Sequence, residues 1–356
     1  MRQHSHYSIG SVATVVLGAL VVLTGCATKS PKQAAIFFPP APDEPRIQFL
    51  GGFSQETEMG GQSRFGKFVL GDSQIRRPIW KPYGIAVTPG KVYVCDTQPG
   101  NVSMVDLAKR QIRYLRPKGP AAMQLPIGVA VDADGKRYVS DTSRGQVLIY
   151  GTDGELKGAI GKGNDMKPCG IALDRDRLYV TDLTNHCVSV YQTVTRELLF
   201  QIPRQKEEGK PGLWSPTNVA VDREGRIYVS DTGGFMVQVY DAEGKHLRTI
   251  GDMGLAPGRF ALPKGIGVDR ENRVYVVDAA VGLVQLFDPE GRILMYFGEP
   301  SSAAPVYLPT GLAIDYDNVK FFQDRVAPGF RLQYLIWVAN QAGEKKISVY
   351  GFLEKS

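Results

Sequence analysis

Residues 126–142 read Pro-Ile-Gly-Val-Ala-Val-Asp-Ala-Asp-Gly-Lys-Arg-Tyr-Val-Ser-Asp-Thr. Apolar side chains alternate along Gly-Val-Ala-Val-Asp (128–132) and again along Gln-Val-Leu-Ile-Tyr (146–150). A period of two marks a strand, in which successive side chains point to opposite faces. The opening phrase recurs from Pro82, Pro126, Pro168, Pro216, Pro263 and Pro309, at intervals of 44, 42, 48, 47 and 46 residues. Such intervals belong to propeller blades rather than to shorter solenoid repeats. Turn pairs such as Asp134-Gly135, Asp153-Gly154 and Glu224-Gly225 divide each unit into four short antiparallel strands, a to d. Six copies predict an all-β chain folded as a six-bladed β-propeller.

Strand a carries its own logic. Ala86, Ala130, Ala172, Ala220, Gly267 and Ala313 share one slot, and all are small. Inner strands converge on the propeller axis, so a large side chain there would collide with the next blade. The residues one position earlier, from Ile85 in the first copy to Leu312 in the sixth, are larger and fill the core between blades. Blades 1 to 5 each end in a strand d, such as Gln111–Leu115, Glu155–Ile160 and His246–Ile250. Blade 6 has strand c at Ile347–Gly351 and then only five residues. Its missing strand is expected from residues 46–50, Arg-Ile-Gln-Phe-Leu, pairing antiparallel with 347–351 and leaving no open sheet edge at the closure. The propeller is thus expected over 46–356.

The chain's 356 residues, 43% hydrophobic and 22% charged, are ordinary for a globular protein and exclude disorder, collagen and a multi-span membrane protein. Near the N-terminus, Arg2 precedes an apolar run from Ile9 to Leu23, which is too short to span a bilayer of about 20 residues. This is the arrangement of a secretory signal. The run ends in Leu23-Thr24-Gly25-Cys26, which resembles the lipobox of bacterial lipoproteins. That resemblance implies a signal peptide over 1–25, lipidation of Cys26, and, with Ala27 following, sorting to the outer membrane. Residues 26–45 hold Pro31, Pro39, Pro40, Pro42 and Pro45 and read as a semi-rigid tether. Ile36, Phe37 and Phe38 inside it are expected to pack on the flank of the domain, with a hook for a partner as the alternative.

The phrases at 126–142 and 216–232 resemble the NHL repeat, over nearly all of 46–356. With the lipobox, the tether and the ending Lys-Ile-Ser-Val-Tyr-Gly-Phe (346–352), the chain looks like the bacterial NHL-repeat lipoproteins. The resemblance implies a periplasmic domain anchored through its lipid. It also implies a non-catalytic binding or assembly scaffold for a protein partner, in an envelope or cytochrome-associated complex. The alternative it leaves is a metal-dependent lyase or lactonase of the six-bladed type. Peptidyl-hydroxyglycine lyases hold zinc through three His at the middle of Pro-x-Gly-like phrases. Here those places hold Tyr83, Ile127, Cys169, Thr217, Lys264 and Thr310. Gluconolactonase-type propellers use Glu, Asn and Asp near the axis, and Asn218 stands at such a place without a Glu partner. No metal site, cofactor or catalytic residue is therefore assigned.

In place of catalysis, Tyr83, Cys169, Thr217, Lys264 and Thr310 are expected to ring an axial mouth, with Lys264 the sole charge and suited to an anionic group. The repeated Asp96, Asp141, Asp182, Asp231 and Asp278 are expected to accept hydrogen bonds from the turn after strand b, and Asn340 to do the same. No disulfide is expected among Cys95, Cys169 and Cys187, because strands a and c of one blade lie too far apart. No Cys-x-x-Cys-His offers attachment for a c-type haem. The five connectors between blades carry seven Lys or Arg against five Asp or Glu, too balanced to track a phosphate backbone, so nucleic acid is not an expected partner. Two segments exceed the repeat plan, 54–81 and 316–331. They are expected either to contact a partner or to fold back over the domain.

Overall fold

Each repeat folds into its own antiparallel sheet. The computed structural model describes Met1 and residues 34–59, 77–203 and 212–356; the leader, Cys26 and Arg64, Lys67 and Arg76 lie outside them. The chain divides at Ala34, and Ala35–Ser356 carries the propeller. Among the described residues there are six sheets, one per blade, and no helix is long and apolar enough to cross a membrane. Blade 1 runs from strand a (Pro82–Thr88) through Lys91–Asp96 and Asn101–Asp106 to strand d (Gln111–Leu115). Blades 2 to 5 repeat that order, beginning at Pro126, Pro168, Pro216 and Pro263.

Strand b places an aromatic residue once per blade, namely Tyr93, Tyr138, Tyr179, Tyr228, Tyr275 and, in blade 6, Trp337. Each is buried and packs forward against the following blade. The next residue, such as Val94 or Val180, packs backward, as period-two alternation requires. The hydrophobic core is consequently six cores, one in each seam between neighbouring blades. In blades 2, 4 and 6 the polar tip of this aromatic reaches the Asp at the end of strand a. Trp337 Nε1 donates to Asp315 at 2.9 Å and the Tyr228 hydroxyl to Asp222 at 3.0 Å.

The glycine of the repeat phrase is there for close approach. A Cβ on Gly128 would lie 2.6 Å from the Cys169 carbonyl oxygen of the next blade, and one on Gly170 would lie 2.6 Å from that of Thr217. Gly267, in the small slot of strand a, would put its Cβ 2.6 Å from Leu312.

Blade 6 is assembled from both ends of the chain. Its strands a (Pro309–Asp315), b (Phe330–Asn340) and c (Ile347–Lys355) are joined by Ile47–Phe53 as strand d. The pairing is antiparallel, with Ile47 opposite Phe352, Phe49 opposite Tyr350 and Phe53 opposite Ile347. A fifth strand, Ile36–Phe38, then pairs with Ile47–Phe49. Residues 36–38, read from sequence as part of the tether, therefore belong to the sheet. The reason is alternation: Phe38 enters the seam between blades 5 and 6, 6.0 Å from the Phe297 ring, while Phe37 turns to the other face against Phe330 at 5.6 Å.

The segment 316–331 also folds back on the domain. Asn318 Oδ1 accepts from Gly90 N at 2.6 Å and its Nδ2 donates to Thr88 O at 3.0 Å, tying blade 6 to blade 1. Arg325 donates to Leu50 O at 3.0 Å, and Gln48 Nε2 donates to Arg325 O at 2.9 Å, so the same loop clamps the closing strand. Ile47 is completely buried. Ile47→Ala is expected to cost about 2–5 kcal/mol, and deletion of 36–53 to abolish the cooperative thermal transition. Circular-dichroism melts check both, and an unchanged Tm in the deletion would show that closure does not depend on this pairing.

Candidate functional site

Strand a delivers the second residue of each phrase to the axis, at the end where the d-to-a and b-to-c loops lie. Three of the six meet there, from alternate blades: Tyr83 of blade 1, Cys169 of blade 3 and Lys264 of blade 5. Lys264 Nζ donates to the Tyr83 hydroxyl at 3.3 Å and lies 5.9 Å from its ring centroid. Cys169 lies near enough to the Tyr83 hydroxyl for the two groups to influence each other's titration. Ammonium, phenol and thiol thus stand together at the axis.

Burial dominates its electrostatics. It pushes the Tyr83 phenol far above its ordinary range and the Cys169 thiol up to about 11, the latter against the opposing pull of Lys264 and the Gly170 N–H. Both stay protonated near neutrality, so Cys169 is a poor nucleophile. Burial moves Lys264 the other way, below the ordinary lysine range. No carboxylate forms an ion pair with Lys264 among the described residues.

The two threonines differ from the expectation. Thr217 and Thr310 are buried, and their hydroxyls bind inside the seams rather than facing the mouth. Thr217 Oγ1 pairs with Thr232 Oγ1 at 2.6 Å, and Thr232 donates on to Pro263 O at 2.5 Å. Thr310 donates to Pro82 O of blade 1 at 3.2 Å. Each hydroxyl finds an acceptor in its seam, directly or through Thr232, and is held there. Asn218 occupies the glycine place of blade 4, and its buried Oδ1 finds no partner among the described residues.

The repeated aspartates are structural, with a different principal partner from the one expected. Each is fully buried. Asp141 accepts from Gln124 N at 2.6 Å and Leu125 N at 3.0 Å, the two residues just before strand a; Asp96, Asp231 and Asp278 repeat the pattern. Bonds to the following turn are secondary, as from Arg144 N at 3.1 Å. Asn340 departs from the pattern: its Nδ2 donates to Lys345 O and Ser348 Oγ, and its Oδ1 is unpaired among the described residues. An amide presents one acceptor oxygen where the carboxylate presents two. Cys95, Cys169 and Cys187 are free and buried.

Sequence reasoning passed over the aromatics at the loop end of strand a. Trp80, Trp214 and Tyr307 each stand two residues before the phrase proline and are exposed, Trp214 at 69%. Their shared offset from the proline was the available signal. Among the described residues, no group of three or more His, Cys, Asp or Glu gathers where it could hold a metal ion.

A family model described as a 6-bladed beta-propeller matches residues 214–351. The fold is a six-bladed β-propeller. No curated protein matches the sequence. Among solved structures, a protein of unknown function from Bacteroides thetaiotaomicron is similar at 18% identity, covering 87% of this chain and 76% of that one, with a TM-score of 0.59. A gluconolactonase from Xanthomonas campestris is similar at 16% identity, covering 91% of this chain and 99% of that one, with a TM-score of 0.54. A virginiamycin B lyase from Staphylococcus aureus is similar at 14% identity, covering 76% and 95%, with a TM-score of 0.52. At such identities the likeness is one of fold.

Two substitutions contrast the seam-fastening Asp141 with the axial Lys264. Asp141→Ala leaves the Gln124 and Leu125 N–H groups unpaired, at about 1–3 kcal/mol each, and should lower stability in denaturant titrations. Lys264→Met should keep or raise it. A base whose folded pKa is depressed binds its proton less tightly than in the unfolded chain, so its protonation opposes folding. The advantage of the variant is therefore expected to be largest below the folded pKa of Lys264 and to vanish as pH rises to the ordinary lysine range. A Lys264→Met protein less stable than wild type at pH 7 would contradict this.

Proposed function

We propose that this chain is a lipid-anchored propeller of the cell envelope that holds a protein partner at its loop-side axial mouth without transforming it. The observation that carries the reading is Lys264, a largely buried amine held by a phenol and, among the described residues, without a carboxylate. Such a group is costly to keep in the fold, and an anionic group entering the mouth would supply the missing counter-charge. The alternation of blades supports it, since Tyr83, Cys169 and Lys264 approach the axis from three sides while Thr217 and Thr310 turn away. The lipobox ending at Cys26 supports anchoring at the outer membrane, with the domain in the periplasm, and the repeat phrase supports an NHL-type ancestry. An envelope or cytochrome-associated assembly is the proposed setting.

Co-purification from the native membrane, read by mass spectrometry, tests this. Changing Lys264 and Tyr83 to Ala together is expected to release the partner while the protein still folds cooperatively, as its circular-dichroism spectrum and a single melting transition would show; retention of the partner would move the site elsewhere. Because the protonated amine is the binding form, affinity should fall as pH rises through the depressed pKa of Lys264. Cys26→Ala should abolish lipid modification and release the domain from the outer-membrane fraction. Wild-type processing and fractionation of that variant would overturn the anchor.

A second reading, a lyase or lactonase, is favoured by one observation. An amine whose burial lowers its proton affinity below that of an ordinary lysine, beside a phenol, is placed to exchange a proton with a group in the mouth. Turnover of a lactone panel by purified protein, lost in Lys264→Met, would select it over the binding platform.

A further inference from the structure

Between blades 6 and 1, on the loop-side face, a cleft of ≈ 690 Å³ opens, and none of its lining residues belongs to the axial set. This seam is where the repeat plan is broken, because the connection from Ile47–Phe53 to strand a of blade 1 is the long 54–81 segment. The volume is that of a small-molecule site. One wall is apolar and flat: Trp80, Pro78 and Pro99, with the Trp80 ring 53% exposed. Tyr114 backs this wall, its hydroxyl fixed on Pro78 O at 2.8 Å.

The second feature is a buried polar group with nothing to bind. Asn101 lines the cleft, is 2% exposed, and its amide oxygen has no hydrogen-bond partner among the described residues. It is the first residue of strand c. In blade 2 that place is Gln146, whose amide donates to Gly161 O at 3.0 Å, and in blades 5 and 6 it is the apolar Leu283 and Ile347. Only rarely is a buried amide left unsatisfied in a native fold, and each case calls for an explanation.

The third feature is charge. Arg116 and Lys346 line the cleft against a single carboxylate, Glu344; Arg113 lines the groove that adjoins it across Tyr114, beside an Arg77 that is paired with Glu56 at 3.3 Å. Neither Arg113 nor Arg116 forms an ion pair among the described residues. Lys346 Nζ donates to Gln341 O at 2.9 Å, which leaves two of its three donors.

We propose that this cleft binds an anionic saccharide, a sugar acid or sugar phosphate, with the ring on Trp80, a hydroxyl on Asn101 and the acid on Arg116 and Lys346. A pyranose presents a face of C–H bonds and a rim of hydroxyls. The flat apolar wall matches the face, and Asn101 and Gln55 match the rim. The cations require a carboxylate or phosphate on the ring, since charge-assisted hydrogen bonds are the strong ones. The site is independent of the axial mouth and of the partner held there.

Titration calorimetry of the full-length protein with glucuronate, glucose 6-phosphate and glucose tests the proposal. Both anions should bind saturably and glucose at least tenfold more weakly. Trp80→Ala and Arg116→Gln should each weaken glucuronate tenfold or more, while Trp214→Ala, which removes an exposed indole from blade 4, leaves it unchanged. Tighter binding of a galacturonate oligomer than of galacturonate would identify a glycan as the source; equal affinity would identify a free sugar acid. The proposal is overturned if neither anion binds, if glucose binds as tightly as glucuronate, if Trp80→Ala has no effect, or if a polyglutamate peptide displaces glucuronate with higher affinity.

Discussion

The antiparallel pairing of Ile47–Phe53 with Ile347–Lys355 is the contact on which the rest of this structure depends. The hydrophobic core lies between blades rather than within them. An open ring would therefore leave two apolar sheet faces in water. Closing the sixth blade with strands from opposite chain ends covers both faces at once. The closure is reinforced from two sides. The Ile36–Phe38 strand extends the sheet outward, and the 316–331 loop holds Gln48 and Leu50 through Arg325.

Within that ring, the repeat phrase distributes labour along each blade. The aromatic residue of strand b fills the seam ahead, and in blades 2, 4 and 6 it anchors its polar tip on the Asp at the end of strand a. The Asp ending strand b fastens the two residues that lead into strand a. Near the axis, glycine lets the carbonyl of the next blade come within contact distance. These interactions recur around the ring, so they define a scaffold and contribute little to specificity. Specificity belongs where the pattern lapses. It lapses at the second phrase position, at Asn218, and at the seam between blades 6 and 1. There, among the described residues, stand the amide oxygens without partners, the amine held by a phenol and no carboxylate, and an exposed indole.

Burial tunes these departures. It leaves the Tyr83 phenol and Cys169 thiol neutral and makes Lys264 a reluctant cation. A buried amine of that kind costs the fold stability wherever it stays protonated.

The blade count, the strand order inside a blade, the small slot of strand a and the need for a closing strand were all legible in the sequence. Each is a local pattern: alternation with period two, a turn pair, or a phrase repeated at a fixed interval. The structural role of the aspartates was legible too, although their main donors lie before strand a rather than after strand b. What the sequence left open concerns residues far apart along the chain. Residues 36–38 read as tether because their partner strand is recognisable only once blade 6 has formed. Thr217 and Thr310 read as mouth residues because their offset matches that of Tyr83, but the acceptors that neighbouring blades and strands offer decide where each hydroxyl binds. Asn101, Trp80, Arg116 and Lys346 share no motif, and they meet only because ring closure brings blade 6 against blade 1. Periodicity along the chain determines the blades, whereas the identity of neighbours across a closed ring is a long-range property that only the tertiary structure decides.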